Sequence, residues 1–267
     1  MMSAFAALAL EALRDAVRRR IVAAIIVLCL LSLLVIDGCT ACSSGTIVAD
    51  GQQVQLAEVA GASGGLLFMT LCLWICVLAV ILASDHLQQT LSDGSANLSL
   101  ARPVARSTFA LARLAGALAV ALAAGALLLG AAAALLHTRS GLPVAPALLA
   151  ASYTALAAFA CATLSMALSL WLPHLATMLI MTGFVGTMAT ANLIALVPRE
   201  EPATGSLAWL DRLGPPLAKA PVAALDSWVP SAQTGLDPYW VGVPLVVWAV
   251  LGCAALLLSF RRIELGR

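Results

Sequence analysis

Long apolar segments alternate with short polar ones along almost the whole chain. Six long segments contain no Asp, Glu, Lys or Arg: residues 21–36, 65–83, 114–136, 145–172, 176–197 and 241–260. A bilayer core about 30 Å thick is crossed by about 20 residues of α-helix. The pattern therefore predicts six transmembrane helices, with the fourth and fifth joined by a single tight turn at Pro173 and His174.

Composition supports this interpretation. Hydrophobic residues make up 62% of the 267 residues and charged residues only 10%, with a mean hydropathy of +1.02. Soluble domains carry about 25% charged residues, and disordered chains combine low hydrophobicity with high charge. The composition therefore excludes both a soluble domain and a disordered chain. We expect an all-α polytopic membrane protein, with residues 1–267 forming a single six-helix domain.

The basic residues predict the orientation, because cytoplasmic segments of membrane proteins are enriched in Lys and Arg. Ten of the 14 basic residues fall in segments that the six-span pattern places on the same side of the membrane as the N-terminus. These ten are Arg14, Arg18, Arg19, Arg20, Arg102, Arg106, Arg113, Arg261, Arg262 and Arg267. Both termini are therefore expected in the cytoplasm, and the segments 37–64 and 198–240 outside.

Residues 4–20 have the pattern of an amphipathic helix. An apolar stripe and a charged stripe alternate there, and an arginine run at 18–20 follows. Such a helix lies in the membrane interface. It could be an anchor that only fixes the topology, or an elbow helix against which another subunit docks.

The first outer segment contains two further features. Two β-prone runs flank Asp50-Gly51, the favoured two-residue turn of a β-hairpin, which predicts a small outer hairpin. Cys39 and Cys42 precede it. In an oxidising compartment a local disulfide or two idle thiols are expected, because the loop lacks the further ligands that a metal site needs.

The inner segment 84–110 has the features of a docking element. Asp93-Gly94 interrupts a first helix, Arg102-Pro103 ends a second one, and Ser107 or Thr108 is a candidate N-cap for the third span. Leu91, Leu98 and Leu100 give the segment an apolar side. A short helix–turn–helix at the inner membrane face suits a cytosolic partner; the alternative is an ordinary connecting loop.

These residues resemble a known family. Gly94-Ser95-Ala96, Leu98 and Leu100, followed by Arg102-Pro103-Val104-Ala105-Arg106, Phe109 and Arg113, are similar to the loop after the second span of ABC-2-type ABC transporter permeases. Glu11-Ala12-Leu13-Arg14-Asp15 and the arginines after it resemble the elbow of that family. The subgroup with the permease of nitrous-oxide-reductase maturation is the most similar. Ser95 replaces the family's usual Thr, and the common Glu before it is absent.

The resemblance implies the permease subunit of an ATP-driven exporter in a bacterial inner membrane. Two copies of the chain would act as a dimer over two cytosolic ABC ATPase subunits, which would bind ATP and Mg²⁺. The chain itself would hold no cofactor, metal or catalytic residue and contact no nucleic acid. The implied ATPase-coupling residues are Gly94, Leu98, Leu100, Arg102, Pro103 and Arg106, together with Arg14 and Arg18. The alternative function is transmission of ATP-driven motion to a periplasmic partner protein, without a transported substrate.

Other sequence features agree with a separate energy source. The chain has no G-x-x-x-x-G-K-[ST] motif for ATP phosphates. The spans contain no carboxylates, which usually mark the path of an ion-coupled carrier. His86, His137 and His174 lie on different loops, so we expect no histidine cluster.

The sequence is compatible with two alternative functions for each of two regions. The fourth and fifth predicted spans carry hydroxyl and amide side chains, which either bond internally or form a mildly polar translocation face. They are Ser165, Ser169, Thr182, Thr187, Thr190 and Asn192. Between residues 198 and 240, Leu and aromatic residues suggest short helices at the outer interface. Those helices would form either an outer gate or a lid.

Overall fold

A computed structural model describes residues 2–17, 46–49, 52–92, 105–196, 206–228 and 234–262, together with single helical positions between 23 and 38. The helices are Met2–Val17 (α1), Leu56–Ser92 (α2), Arg106–Ser140 (α3), Val144–Leu168 (α4), His174–Leu196 (α5), Ser206–Leu213 (α6), Lys219–Leu225 (α7) and Pro238–Arg262 (α8). A 3-10 turn, Asp226–Trp228, extends α7.

The predicted hairpin is present. Strands Thr46–Ala49 (β1) and Gln52–Gln55 (β2) pair antiparallel, with Thr46 opposite Gln55 and Ala49 opposite Gln52. This register places two residues, 50 and 51, between the strands, as expected for an Asp-Gly loop. Helix α2 begins directly after β2, so residues 56–64 of the predicted loop 37–64 are helical.

Five described helices are long and apolar enough to cross a membrane. They are Gly61–Asp85, Ser107–Ser140, Val144–Leu168, His174–Leu196 and Pro238–Arg262. They correspond to five of the six predicted spans, and the remaining one, 21–36, lies largely outside the described residues. The chain is a multi-pass helical membrane protein, as its composition indicated.

Spans that follow one another along the chain run in opposite directions, so the helix ends form two groups. At one end, Phe109 of α3 stacks on Phe260 of α8, with ring centroids 6.3 Å apart. At the other, Trp228 donates a hydrogen bond to the Pro143 carbonyl before α4 and packs edge-on against Phe68 of α2. We name these the Phe109 end and the Trp228 end.

Helix α2 lies at the centre of the bundle. In its apolar 18-residue window 61% of the residues are buried, against 33% for α5 and 28% for α8. The core therefore forms around α2, α3 and α4. Helix α8 packs along α4, and α5 and α8 also expose apolar faces. Ser165 of α4 adds a buried hydrogen bond to the Val80 carbonyl of α2, at 3.0 Å.

Helix α3 contains three glycines, and two of them allow a neighbouring helix to pack closely. A Cβ at Gly116 would overlap Ala12 of α1, and one at Gly125 would lie 3.2 Å from Ile75 of α2. Gly130 has nothing within 4 Å of that position. Gly141 ends α3 in the left-handed region, at φ 66°, where glycine carries no steric penalty.

Two predicted boundaries are wrong. Helix α4 ends at Leu168, not at 172, so five residues rather than a tight turn at Pro173 and His174 precede α5. The residue before a proline avoids the α conformation, and the chain leaves the helix a full turn earlier. Helix α3 begins at Arg106, and Ala105, not Ser107 or Thr108, is its N-cap, without a side-chain cap.

Candidate functional site

Most of the predicted coupling residues fall outside the described part of the chain. These are Gly94, Leu98, Leu100, Arg102, Pro103 and Arg18, and Cys39 and Cys42 lie outside it as well. Arg106 is the first residue of α3, and Arg14 is an exposed residue of α1. Helix α2 is described as far as Ser92, and the predicted break at Asp93-Gly94 lies outside the described residues.

Helix α1 packs closely against the beginning of α3. The contact between Ala12 and Gly116 leaves Ala12 fully buried. Beside it, the guanidinium of Arg113 lies 3.6 Å from the Glu11 carboxylate and 5.5 Å from the centre of the Phe109 ring. Arg113 is 1% exposed, so its charge is held between the two helices. A buried arginine needs such partners, because an uncompensated charge is costly to desolvate.

Helices α2 and α5 also contact each other at the Phe109 end. His174, the first residue of α5, lies 3.4 Å from the Ser84 hydroxyl and 4.0 Å from an Asp85 carboxylate oxygen. Both contacts use the same ring nitrogen, Nδ1, so the three residues do not have the relay geometry of a catalytic triad. Among the described residues, no group of three or more His, Cys, Asp or Glu is placed to hold a metal ion.

A polar cluster joins α6 and α7 to α5 at the Trp228 end. Asn192 of α5 is fully buried, and its amide donates to the Asp211 carboxylate of α6 at 3.0 Å. The Asn192 carbonyl oxygen accepts from the backbone N–H of Ala218 at 3.1 Å, and Lys219 pairs with Asp211. We call Asn192, Asp211, Ala218 and Lys219 the α5–α7 clasp.

Sequence reasoning missed the clasp, although it noted Asn192 as a polar residue in an apolar span. An amide at such a position signals a partner, but not which of the loop residues supplies it. Asp211 and Lys219 lie 19 and 27 positions further along the chain.

The outer segment is partly inside the bundle rather than at its interface. Trp228 is 3% exposed, and Leu217, Ala220 and Leu225 are equally enclosed. Among the described residues of this segment, Trp209 and Leu213 of α6 have the predicted interfacial character at 68% and 65% exposed, as do Tyr239 and Trp240 at the start of α8 at 70% and 69%. Helix α7 therefore packs between the spans, where it contacts α2, α4, α5 and α8.

A cleft opens between α2, α5 and α7 at the same end. Its volume is about 320 Å³, and its walls are mainly apolar. Its walls include Leu66, Met69, Leu193, Val222, Asp226 and Thr234. This size and lining are typical of small-molecule sites in proteins.

The hydroxyl and amide residues of the spans mostly bond internally. Ser165, Ser169 and Asn192 are buried and bonded. Thr187 and Thr190 bond to carbonyls of their own helix. Only Thr182 lines an open groove, beside α2.

Comparison of the sequence with protein-family models and with curated proteins gives no match. The function therefore has to be argued from the residues and from the geometry of the two ends.

Proposed function

We propose that this chain is the membrane-spanning subunit of an ABC-2-type ATP-driven exporter in a bacterial inner membrane. It would act as a dimer over two separate ATPase subunits that bind ATP and Mg²⁺. The proposal rests first on the resemblance carried by residues 94–113 and by the elbow at 11–20. The Phe109 end is then the cytoplasmic end, because most of the basic residues lie there.

The geometry of the Phe109 end is the observation that carries the proposal. Helix α2 ends at Ser92 and α3 begins at Arg106, so the proposed coupling residues connect two helices that reach this end. Helix α1 lies against the same part of α3, through Ala12 and Gly116. A force applied to α1 or to residues 93–105 therefore acts on α3 directly.

The close contact of Ala12 with Gly116, with buried Arg113 beside it paired to exposed Glu11, makes this joint suited to transmit motion. A well-packed contact between helices resists deformation, because protein interiors are close-packed. When the ATPases close, α1 and the start of α3 move together as one lever. Helices α2 and α3 then tilt relative to α5, in which only 33% of the residues of the apolar window are buried.

The alternative function, transmission of motion to an outer partner protein, is supported by α6. Trp209 and Leu213 are large, exposed apolar residues at the Trp228 end. The clasp ties α6 to the end of α5, so a movement of α5 is passed to that surface. Stimulation of ATP hydrolysis by a periplasmic protein rather than by a small substrate distinguishes this function from export.

The coupling proposal is tested by Leu98→Asp combined with Leu100→Asp. Two charges in an apolar contact each cost several kcal/mol if unpaired. We expect the tagged variant to insert into the membrane but to lose the ATPase during purification. The measurement is the ATP hydrolysis and the ATPase subunit that co-purify with the tagged chain from its native membrane.

Leu98→Met with Leu100→Met is the matched control, because it keeps both side chains apolar and of similar volume. This variant should retain the ATPase. Full retention of the ATPase by the double Asp variant would show that these leucines are not part of the coupling contact.

A further inference from the structure

The cleft at the Trp228 end and a second cavity lie along the same seam between α2 and α5, and we call the two together the groove. The second cavity, of about 290 Å³, lies between these two helices, with Trp74 and Val77 on α2 and Thr182 and Gly186 on α5. Residues of α2 line the two cavities from Ala62 to Val77 at helical spacing. At 1.5 Å per residue this stripe is about 22 Å long.

The length and chemistry of this groove match one leaflet of a bilayer. Half of the hydrocarbon core is about 15 Å thick, so the groove runs from the Trp228 end past the middle of the membrane. Its walls are almost entirely apolar, as an alkyl chain requires. Leu66, which lines the cleft, is 65% exposed toward the surroundings of the bundle.

The polar part of the cleft has a defined charge. Of the described residues that line it, Asp226 alone is charged. The hydrogen bonds that described residues give to Asp226 come from the backbone N–H of Thr234 at 3.1 Å and from its hydroxyl at 2.7 Å. Both end on Oδ2, so the carboxylate is held in position at the wall of the cleft.

We propose that this groove binds an amphiphile taken from the bilayer, with an ammonium head group at Asp226 and an apolar chain along the α2–α5 seam. A cationic head is selected over an anionic one, because an anion would face the carboxylate at close range. The ammonium N–H groups can donate to the Asp226 carboxylate in a charge-assisted hydrogen bond. The chain meanwhile replaces lipid tails against Leu66, Met69 and Trp74.

The test uses the full chain in nanodiscs of phosphatidylcholine and a hexadecylammonium probe with a photoreactive diazirine in its chain. We expect saturable labelling of α2 and α5, mapped by mass spectrometry and competed by unlabelled hexadecylammonium. Asp226→Asn keeps an acceptor for Thr234 but removes the charge. It should raise the half-saturating probe concentration about tenfold, the loss expected for one charge-assisted bond.

Two controls separate head-group recognition from binding of the chain. A hexadecanol probe with the same diazirine should label the wild type and Asp226→Asn equally, which also shows that the variant is folded. Leu66→Trp should abolish labelling by both probes, because the indole fills the cleft. Leu148→Trp, at a residue of α4 that is 64% exposed, should leave labelling unchanged.

Three outcomes would overturn the proposal. The first is labelling that does not saturate or that Asp226→Asn leaves unchanged. The second is labelling of residues 21–36 in place of α2 and α5, which would make the chain's own first span the occupant. The third is a dimer that Leu66→Trp dissociates while labelling persists, which would make the groove an interface between copies. No ATPase takes part, so the result is independent of the coupling proposal.

Discussion

Asn192 lies fully buried at the Trp228 end of α5, where its side chain bonds to α6 and to the residue before α7. A buried group that loses its partner costs about 1–3 kcal/mol. The Ala218 N–H is in this position because it donates to the Asn192 amide, whereas the Asp211 carboxylate keeps its pair with Lys219. One side chain therefore bonds to both α6 and the start of α7.

Asn192→Ala should loosen α6 and α7 without unfolding the spans. We expect the amides of residues 206–225 to exchange hydrogen about tenfold to a hundredfold faster, which corresponds to a loss of about 1–3 kcal/mol. The measurement is hydrogen–deuterium exchange followed by mass spectrometry. Thr190→Ala is the control, because that exposed hydroxyl bonds only to its own helix; equal exchange in both variants would contradict the assigned role of the clasp.

At the scale of elements, the joint between α1 and α3 is the contact on which the coupling proposal depends. It combines a glycine that admits the neighbouring helix with a buried arginine, Arg113, whose guanidinium pairs with the exposed Glu11 carboxylate. The glycine sets the distance, because any side chain at 116 would meet the backbone of α1 at Ala9.

Gly116→Ala should displace α1 from α3. The added methyl group would overlap Ala12 and lie 3.1 Å from backbone atoms of α1. Backbone atoms cannot rotate away as a flexible side chain can, so α1 itself has to move. We expect faster hydrogen exchange in residues 2–17 and lower ATP hydrolysis by the assembled complex. Gly130→Ala brings the same gain in helix propensity in open space, and it should leave both properties as in the wild type. If Gly116→Ala behaved like Gly130→Ala, the joint would not constrain α1.

At the scale of the whole molecule, the two ends of the bundle differ in charge and in packing. Basic residues gather at the Phe109 end, and the aromatic residues Trp228, Tyr239 and Trp240 lie near the Trp228 end. This asymmetry is the basis for placing the Phe109 end in the cytoplasm.

Single-cysteine labelling tests that orientation in a variant that lacks the seven native cysteines. We expect an impermeant maleimide to label Trp209→Cys in intact cells, since that residue is 68% exposed on α6. Asn97→Cys, in the connection between α2 and α3, should be labelled only after the membrane is permeabilised. The reverse pattern would invert the proposed topology.

The sequence alone determined the class of the protein and the five membrane helices among the described residues. A charge-free apolar segment of sufficient length has few other stable forms. It also determined the hairpin at 46–55, since Asp50-Gly51 favours one turn geometry and the runs beside it have one periodicity. These features depend on residues that are close along the chain.

The tertiary structure alone decided the features that join distant residues. It placed Trp228 in the core against Phe68, tied Asn192 to Asp211 and Ala218, and made the cleft between α2, α5 and α7. An aromatic residue in a polar loop suits the membrane interface and the bundle interior equally well by local criteria. The choice between the two depends on whether packed helices leave room for the ring and a carbonyl for its N–H, and for Trp228 that carbonyl belongs to Pro143, 85 residues earlier.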